Sequence, residues 1–345
     1  MLLQVENLSV GFRSVQPGTG TPRMARAVEE VSFCLDRGGS LCLVGESGCG
    51  KSVTALSLLG LLPSPPARLL GGRVLFEGED MLRLPPEKLN RLRGGRIGMI
   101  FQEPMTSLNP VLKVGEQVAE PLIVHFGMRP AEALKRAVEL LAEVGLNNPD
   151  RRAADYPHQL SGGMRQRVMI AMAMACRPSL LIADEPTTAL DVSVQGQILD
   201  LMREMRESAG SALLMITHDL DVVARSADQV AVMYAGRIVE SGPVGATLAD
   251  PLHPYTAGLV ASRPRLGWEQ RSGLDVMRAK LVQARHGRLS AIPGTVPPPL
   301  ERPDGCAFST RCPQVFDRCR AEMPPLLPLT DGKVNEGRSC RCWLR

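Results

Sequence analysis

The eight residues Gly45-Glu46-Ser47-Gly48-Cys49-Gly50-Lys51-Ser52 fit G-x-x-x-x-G-K-[ST], and this pattern constrains the fold more than any other feature of the chain. The short apolar run Leu41-Cys42-Leu43-Val44 before it reads as a buried strand, and Val53 to Leu59 after it reads as a helix. Strand, glycine loop and helix is the setting in which such a loop cradles phosphate. The glycines let successive N–H groups face one point, and the helix N-terminus adds its positive dipole there. Lys51 is placed to reach β- and γ-phosphates and the Ser52 hydroxyl to ligate Mg²⁺. Gly45 through Ser52, with Thr54 in the first turn of the helix, are therefore the candidate nucleotide contacts.

The rest of the chain is consistent with a parallel sheet around that loop. Leu2 to Phe12 and Ala27 to Leu35 read as strands joined by a loop over Arg13 to Arg26, which is rich in Gly, Pro and Thr. Ile97 to Phe101, Leu180 to Ala183, Ala212 to Thr217 and Val230 to Tyr234 read as further strands. Helices are expected over Leu82 to Arg93, Gly162 to Ala175 and Val194 to Glu207. Another is expected over Arg129 to Leu146, where Leu134, Val138, Leu141 and Val144 recur at helical spacing. Strands alternating with helices predict an α/β fold. After about Ala249 prolines punctuate the chain and a smaller, irregular appendage is expected.

The 345 residues suffice for two domains. With 44% hydrophobic and 22% charged residues, the composition is that of an ordinary globular protein. No apolar run approaches the length of a membrane span, and Met1 to Gly20 lacks a signal-peptide apolar core, so a cytosolic setting is expected. A net charge of +4 and 3% aromatic residues give no argument for nucleic acid.

Leu180-Leu181-Ile182-Ala183-Asp184-Glu185 is an apolar strand ending in two acids. Asp184 would hold Mg²⁺ and Glu185 would polarise an attacking water as general base. Alone, the string reads more readily as a strand ending in a solvated acidic turn. The segment Leu160-Ser161-Gly162-Gly163-Met164-Arg165-Gln166, some twenty residues earlier, resembles the signature L-S-G-G-x-x-Q of the ATP-binding subunits of ABC transporters. Ser161 and the glycines open a helix, a second anion-binding N-terminus.

The resemblance covers about residues 1–250 and implies more. It implies an ABC-transporter nucleotide-binding domain: a P-loop core with an antiparallel β subdomain and a helical subdomain at about 103–175. Ser161, Gly162, Gly163 and Gln166 would bind the γ-phosphate held by a second subunit. Gln102 would sense γ-phosphate and Mg²⁺, Ala189-Leu190-Asp191 would cross the dimer, His218 would contact the γ-phosphate and Phe12 would stack on adenine.

Three further stretches resemble the dipeptide, oligopeptide and nickel importers, in particular their D-type subunit: Phe101-Gln102-Glu103-Pro104-Met105-Thr106-Ser107-Leu108-Asn109-Pro110, Pro251-Leu252-His253-Pro254-Tyr255-Thr256, and Ile292-Pro293-Gly294-Thr295-Val296-Pro297. That implies an ATPase of peptide uptake, bound peripherally at the cytoplasmic face of the inner membrane. Its partners would be an F-type ATPase subunit or a second copy, two membrane subunits and, indirectly, an extracytoplasmic solute-binding protein. Import of nickel or another small solute is the alternative within the family. A non-transport ABC ATPase usually carries a coiled-coil insertion or two cassettes, and this chain has neither.

Of nine cysteines, Cys34, Cys42, Cys49 and Cys176 are scattered, whereas Cys306, Cys312, Cys319, Cys340 and Cys342 crowd the C-terminal stretch. In a cytosolic protein such a cluster suggests metal before disulfides. The spacing admits a four-thiolate zinc site, an iron–sulfur cluster or free thiols. Gly305-Cys306-Ala307-Phe308-Ser309-Thr310-Arg311-Cys312-Pro313 resembles the C-terminal module of D-type subunits, some of which hold a [4Fe–4S] cluster. The resemblance thus implies a small cysteine-rich domain over 251–345 with ligands Cys306, Cys312, Cys319 and Cys342, Cys340 being the alternative fourth. Zinc is the alternative metal.

Overall fold

The computed structural model describes residues 1–15, 22–103, 107–188, 190–262, 291–329 and 337–345. The strands are β1 (Leu3–Val15), β2 (Pro22–Leu35), β3 (Ser40–Val44), β4 (Ala67–Phe76), β5 (Glu79–Asp80), β6 (Ile97–Ile100), β7 (Leu180–Asp184), β8 (Ala212–Thr217), β9 (Gln229–Tyr234), β10 (Arg237–Pro243), β11 (Leu327–Pro328) and β12 (Ser339–Cys340). The helices used below are α1 (Lys51–Leu58), α2 (Pro86–Leu92), α3 (Val114–Phe126), α4 (Pro130–Glu143), α5 (Pro149–Ala154), α6 (Gly162–Met174), α7 (Val192–Ala209), α8 (Leu220–Ser226), α9 (Val244–Ala249), α10 (Pro254–Ala261) and α11 (Asp317–Ala321).

Two sheets result. One has the order β2-β1-β4-β5 and is antiparallel; the other runs β11-β12-β10-β9-β3-β8-β7-β6. Within the larger sheet β9, β3, β8, β7 and β6 are parallel, and β10, β12 and β11 add antiparallel pairs at one edge. The parallel strands are buried on both faces, which is why they read as unbroken apolar runs. Alternate residues serve different cores. Cys42, Val44, Leu181, Ala183, Leu213 and Met215 pack with α3, α4, α6, α7 and α8. Leu41, Leu43, Leu180, Ile182, Leu214 and Ile216 pack with α1 and the antiparallel sheet. The large sheet is thus the middle layer.

Register brings the strand ends level: Val44 pairs with Thr217, Asp184 with Ile216, and Ile100 with Ala183. Chain leaving β3, β6, β7 and β8 therefore emerges along one rim, and ligands of open α/β sheets bind outside such carboxyl ends.

Several expected elements shift. The β1–β2 hairpin is longer than expected: Arg13 to Val15 and Pro22 to Arg26 are strand, paired as Arg13 with Met24 and Ser14 with Arg23. The expected helix over Leu82 to Arg93 is split into a 3₁₀ turn, Met81–Arg83, and α2, because Pro85 and Pro86 cannot continue a helix but suit its start. Leu134, expected on the buried face of α4, is 43% exposed, and the small residues Ala133 and Ala137 are buried with Leu140 and Leu141 instead. Helix α3 carries Pro121 in its interior and was not expected. Pro104, Met105, Thr106, Ala189 and the hairpin tip at 16–21 lie outside the described residues.

The chain beyond α9 is fastened to the ATP-motif half by polar burial. Glu240 on β10 accepts from the backbone N–H groups of Leu252 (3.0 and 3.1 Å) and His253 (2.8 Å) and from Arg338 Nη2 (3.0 Å). Arg338 also donates to the Asp250 carbonyl at 2.6 Å. His253 is 1% exposed, its Nδ1 accepts from Tyr255 N–H at 3.0 Å, and burial drives its pKa down to about 3. An unfolded histidine titrates near 6.5, so between those values the unfolded chain takes up a proton that the folded chain refuses. Stability contributed by the neutral ring is thus present above about pH 6.5 and is lost as pH falls, by about 2 kcal/mol at pH 5. Urea midpoints at pH 7 and pH 5 should show that loss, and His253→Asn, which keeps an acceptor but cannot titrate, should flatten it.

Candidate functional site

Gly45 follows β3, and a side chain there is excluded because a Cβ would stand 2.2 Å from the Met233 carbonyl oxygen of β9. Gly50, at φ +107°, caps α1 in the left-handed region, so Lys51 and Ser52 form the first turn of the helix. Lys51 is 4% exposed, and its Nζ donates to the carbonyls of Gly45 (2.7 Å) and Glu46 (3.2 Å). Ser52 Oγ donates to Asp184 Oδ1 at 3.0 Å. Thr54 is fully buried and returns its hydroxyl to the Gly50 carbonyl at 2.9 Å.

Asp184 closes β7, and burial raises its carboxyl pKa, partly offset by the Ser52 hydrogen bond. Glu185 turns away from the strand at φ +47°. Its carboxylate is approached by His218 Nδ1 (3.2 Å), Gln102 Nε2 (3.2 Å) and Thr188 Oγ1 (2.9 Å). Burial would push its pKa up, but the hydrogen bonds of His218 and Thr188, with the charges of His218 and Lys51, outweigh that and hold it below the usual carboxylate range. The carboxylate is therefore ionised at neutral pH and able to accept a proton.

The rim thus gathers Lys51, Ser52, Asp184, Glu185, Gln102 and His218. The signature residues make their described contacts on α6 and beside α7. Ser161 caps α6 by accepting from Met164 N–H (3.4 Å), Gln166 is buried, and the Cβ positions of Gly162 and Gly163 face Leu190 and Val194. Asp191 caps α7 through Val194 N–H at 2.9 Å and Ser193 Oγ at 2.7 Å, and these hydrogen bonds lower its pKa. Phe12 is partly buried on β1, opposite Ala25 and Ala67.

Cys306, Cys312, Cys319 and Cys342 line one small cavity with Phe308 and Trp343. Burial, reinforced by the neighbouring thiols, pushes the Cys306 thiol up to about 11. Cys340 lies instead on β12, paired opposite Glu240. Among the described residues no group of three or more His, Cys, Asp or Glu side chains stands in metal-holding geometry.

Two partners of the phosphate loop were not expected from the sequence: Tyr255 Oη, which accepts from Glu46 N–H at 2.9 Å, and Arg311, which binds the Glu46 carboxylate. Both come from beyond residue 250, with no local signal of their destination. Thr188, on Glu185, was also missed.

Comparison with known proteins gives two family models. One, described as ABC transporter, matches residues 28–188; the other, described as oligopeptide/dipeptide transporter, C-terminal region, matches 239–284 and 276–319. A putative peptide import ATP-binding protein of Brucella abortus is 47% identical over 99% of this chain and 96% of its own length. The oligopeptide transport ATP-binding protein AppD of Bacillus subtilis is 44% identical over 99% of this chain and 96% of its own. Among solved structures, a dimeric ATP-binding cassette in a post-hydrolysis state with ADP and Pi is 28% identical. It superposes with a TM-score of 0.61, covering 70% of this chain and 99% of that one.

Proposed function

This chain belongs to the ATP-binding subunits of ABC transporters, in their oligopeptide and dipeptide branch, and from that premise we propose how its residues divide the work. It is the ATPase subunit of a peptide importer. The observation that carries the residue assignment is the ionised Glu185 carboxylate held by His218, Gln102 and Thr188 on the same rim as the phosphate loop. Lys51 binds the β- and γ-phosphates, exchanging its loop carbonyls for them. Glu185 takes a proton from the attacking water, and His218 and Gln102 orient the carboxylate and the γ-phosphate. Ser52 and Asp184 present adjacent oxygens that suit Mg²⁺, which when bound supplies positive charge at the phosphates.

The signature Ser161–Gln166 completes the ATP site of a second subunit, as the family resemblance implies. The dimeric state of the structural neighbour supports that reading, and the family resemblance supports an F-type partner, two membrane subunits and a solute-binding protein. No helix among the described residues is long and apolar enough to cross a membrane, which agrees with a peripheral subunit at the cytoplasmic face. We divide the chain into an ATPase, 1–250, and a C-terminal unit, 251–345, joined to it through β12 and the Glu240 cluster. In proteoliposomes carrying the assembled transporter and its binding protein, labelled peptide should accumulate only with Mg-ATP. Accumulation without ATP, or ATP turnover indifferent to the loaded binding protein, would overturn the assignment.

For the C-terminal unit we further propose, by resemblance, a four-thiolate metal site, a [4Fe–4S] cluster with zinc as the alternative, although among the described residues the thiols do not stand in metal-holding geometry. Its support is the convergence of Cys306, Cys312, Cys319 and Cys342 on one cavity that excludes Cys340. Such a centre would tie irregular loops together. Anaerobically purified protein should be brown with about four irons per chain. Cys342→Ser should lose the metal and Cys340→Ser should keep it. Colourless protein with one zinc would replace the cluster by a zinc site.

A further inference from the structure

Glu46, the second residue of the phosphate loop, does not turn its carboxylate towards Lys51. Arg311 takes it in a two-point grip, Nη1 to Oε2 at 2.7 Å and Nη2 to Oε1 at 3.0 Å. The N–H of Glu46 is taken by Tyr255 and its carbonyl by Lys51. Besides Lys51 and Cys49 of the loop itself, which both donate to its carbonyl, the partners of this residue, Arg311 and Tyr255, come from the C-terminal unit.

Arg311 is itself firmly held. Its side chain is 4% exposed, its Nε donates to the Pro293 carbonyl at 2.8 Å, and its guanidinium lies over the rings of Tyr234 (5.7 Å) and Phe308 (6.0 Å). Tyr234, at the end of β9, packs ring to ring with Tyr255 and Phe308. Arg311 precedes Cys312, and its own N–H donates to the Phe308 carbonyl at 3.0 Å. A planar fork on a carboxylate fixes orientation as well as distance, and a pair whose guanidinium is buried is screened less by salt than an exposed one.

We propose that Arg311 is a positioning residue for the nucleotide: through Glu46 it holds the phosphate loop in shape and couples the cysteine-bearing segment to ATP binding. When Lys51 swings to a phosphate, the Gly45 carbonyl loses that donor and the Glu46 carbonyl keeps only the Cys49 N–H at 3.3 Å. The loop then keeps its form through the Glu46 side chain and Tyr255. Displacement of the segment around Cys306 and Cys312 moves Arg311 and loosens the loop. By thermodynamic reciprocity, bound nucleotide tightens that segment. The inference rests on the loop being the nucleotide site.

The test measures Mg-ATP affinity, and KM against kcat, for the full chain with its partner subunits. Arg311→Gln and Glu46→Gln should each weaken affinity and raise KM about tenfold, and Arg311→Gln should leave kcat within a factor of about two. The double variant should be no worse than either single one, because both remove the same link. Hydrogen exchange of residues 305–320 should slow on adding Mg-ATP to the wild type and not to Glu46→Gln. Should Arg311→Gln fail to fold, Glu46→Gln, which keeps the packing, decides alone. If the wild type binds no Mg-ATP, the reading of the loop as nucleotide site fails. If the wild type binds while Glu46→Gln binds equally well, or if the segment's exchange ignores nucleotide, the coupling is overturned.

Discussion

Glu185→Gln is expected to slow ATP turnover by roughly 10²–10⁴-fold while leaving Mg-ATP binding intact. The amide keeps the size of the carboxylate and can still meet His218 and Thr188, so the rim should retain its form. What it loses is the capacity to take a proton. The wild-type carboxylate is held ionised by those same neighbours, so turnover at neutral pH does not depend on its titration. Single-turnover hydrolysis beside equilibrium nucleotide binding in the assembled transporter separates the two properties. Turnover near the wild-type rate would remove Glu185 from the proton step, and loss of binding would make it a structural residue.

The largest effect on stability is expected at Glu240 and Arg338, both 0% exposed. Arg338→Met leaves a buried carboxylate facing backbone N–H groups alone, which should cost about 3–5 kcal/mol. Glu240→Leu should cost at least as much, because it strands the N–H groups of Leu252 and His253 as well. The double variant should lose less than the sum of the two, since each single change breaks the same pair. Denaturant midpoints read against an unchanged slope measure all three. Equal, sub-kilocalorie effects would mean that the chain beyond α9 is not fastened there.

The rim of the site was readable because each of its strands is an apolar run ending at a distinctive polar residue. The loop after Val44, the acids after Ala183, and Gln102 and His218 all stand where a parallel strand stops. Helix α3 was hidden by Gly115 and Pro121, which read as breakers, and by the exposed Val124 and Phe126, which blur its periodicity. In α4 the first half of the buried face is made by Ala133 and Ala137, so the larger but exposed Leu134 drew the pattern one position away. Arg311 reads as a solvated charge between two cysteines. Its burial is set by Glu46, 265 residues away, and no local pattern carries that distance. The convergence of four cysteines was visible only as crowding, and which four meet depended on β12 drawing Cys340 to the sheet.

Strand β12 has a consequence for how the protein is made. It covers the edge of β10 through Glu240–Cys340 and Ser241–Ser339 pairing. On the ribosome, β10 emerges about a hundred residues before its cover, an interval of about 5 to 20 seconds at ordinary synthesis rates. Throughout that interval the nascent sheet presents a bare row of N–H and C=O groups, a template for pairing with another chain. The final closure is a long-range contact, slow to find by diffusion of the chain. A stalled or prematurely cleaved translation product therefore carries a nearly complete sheet with one sticky border, which makes it a client for chaperones.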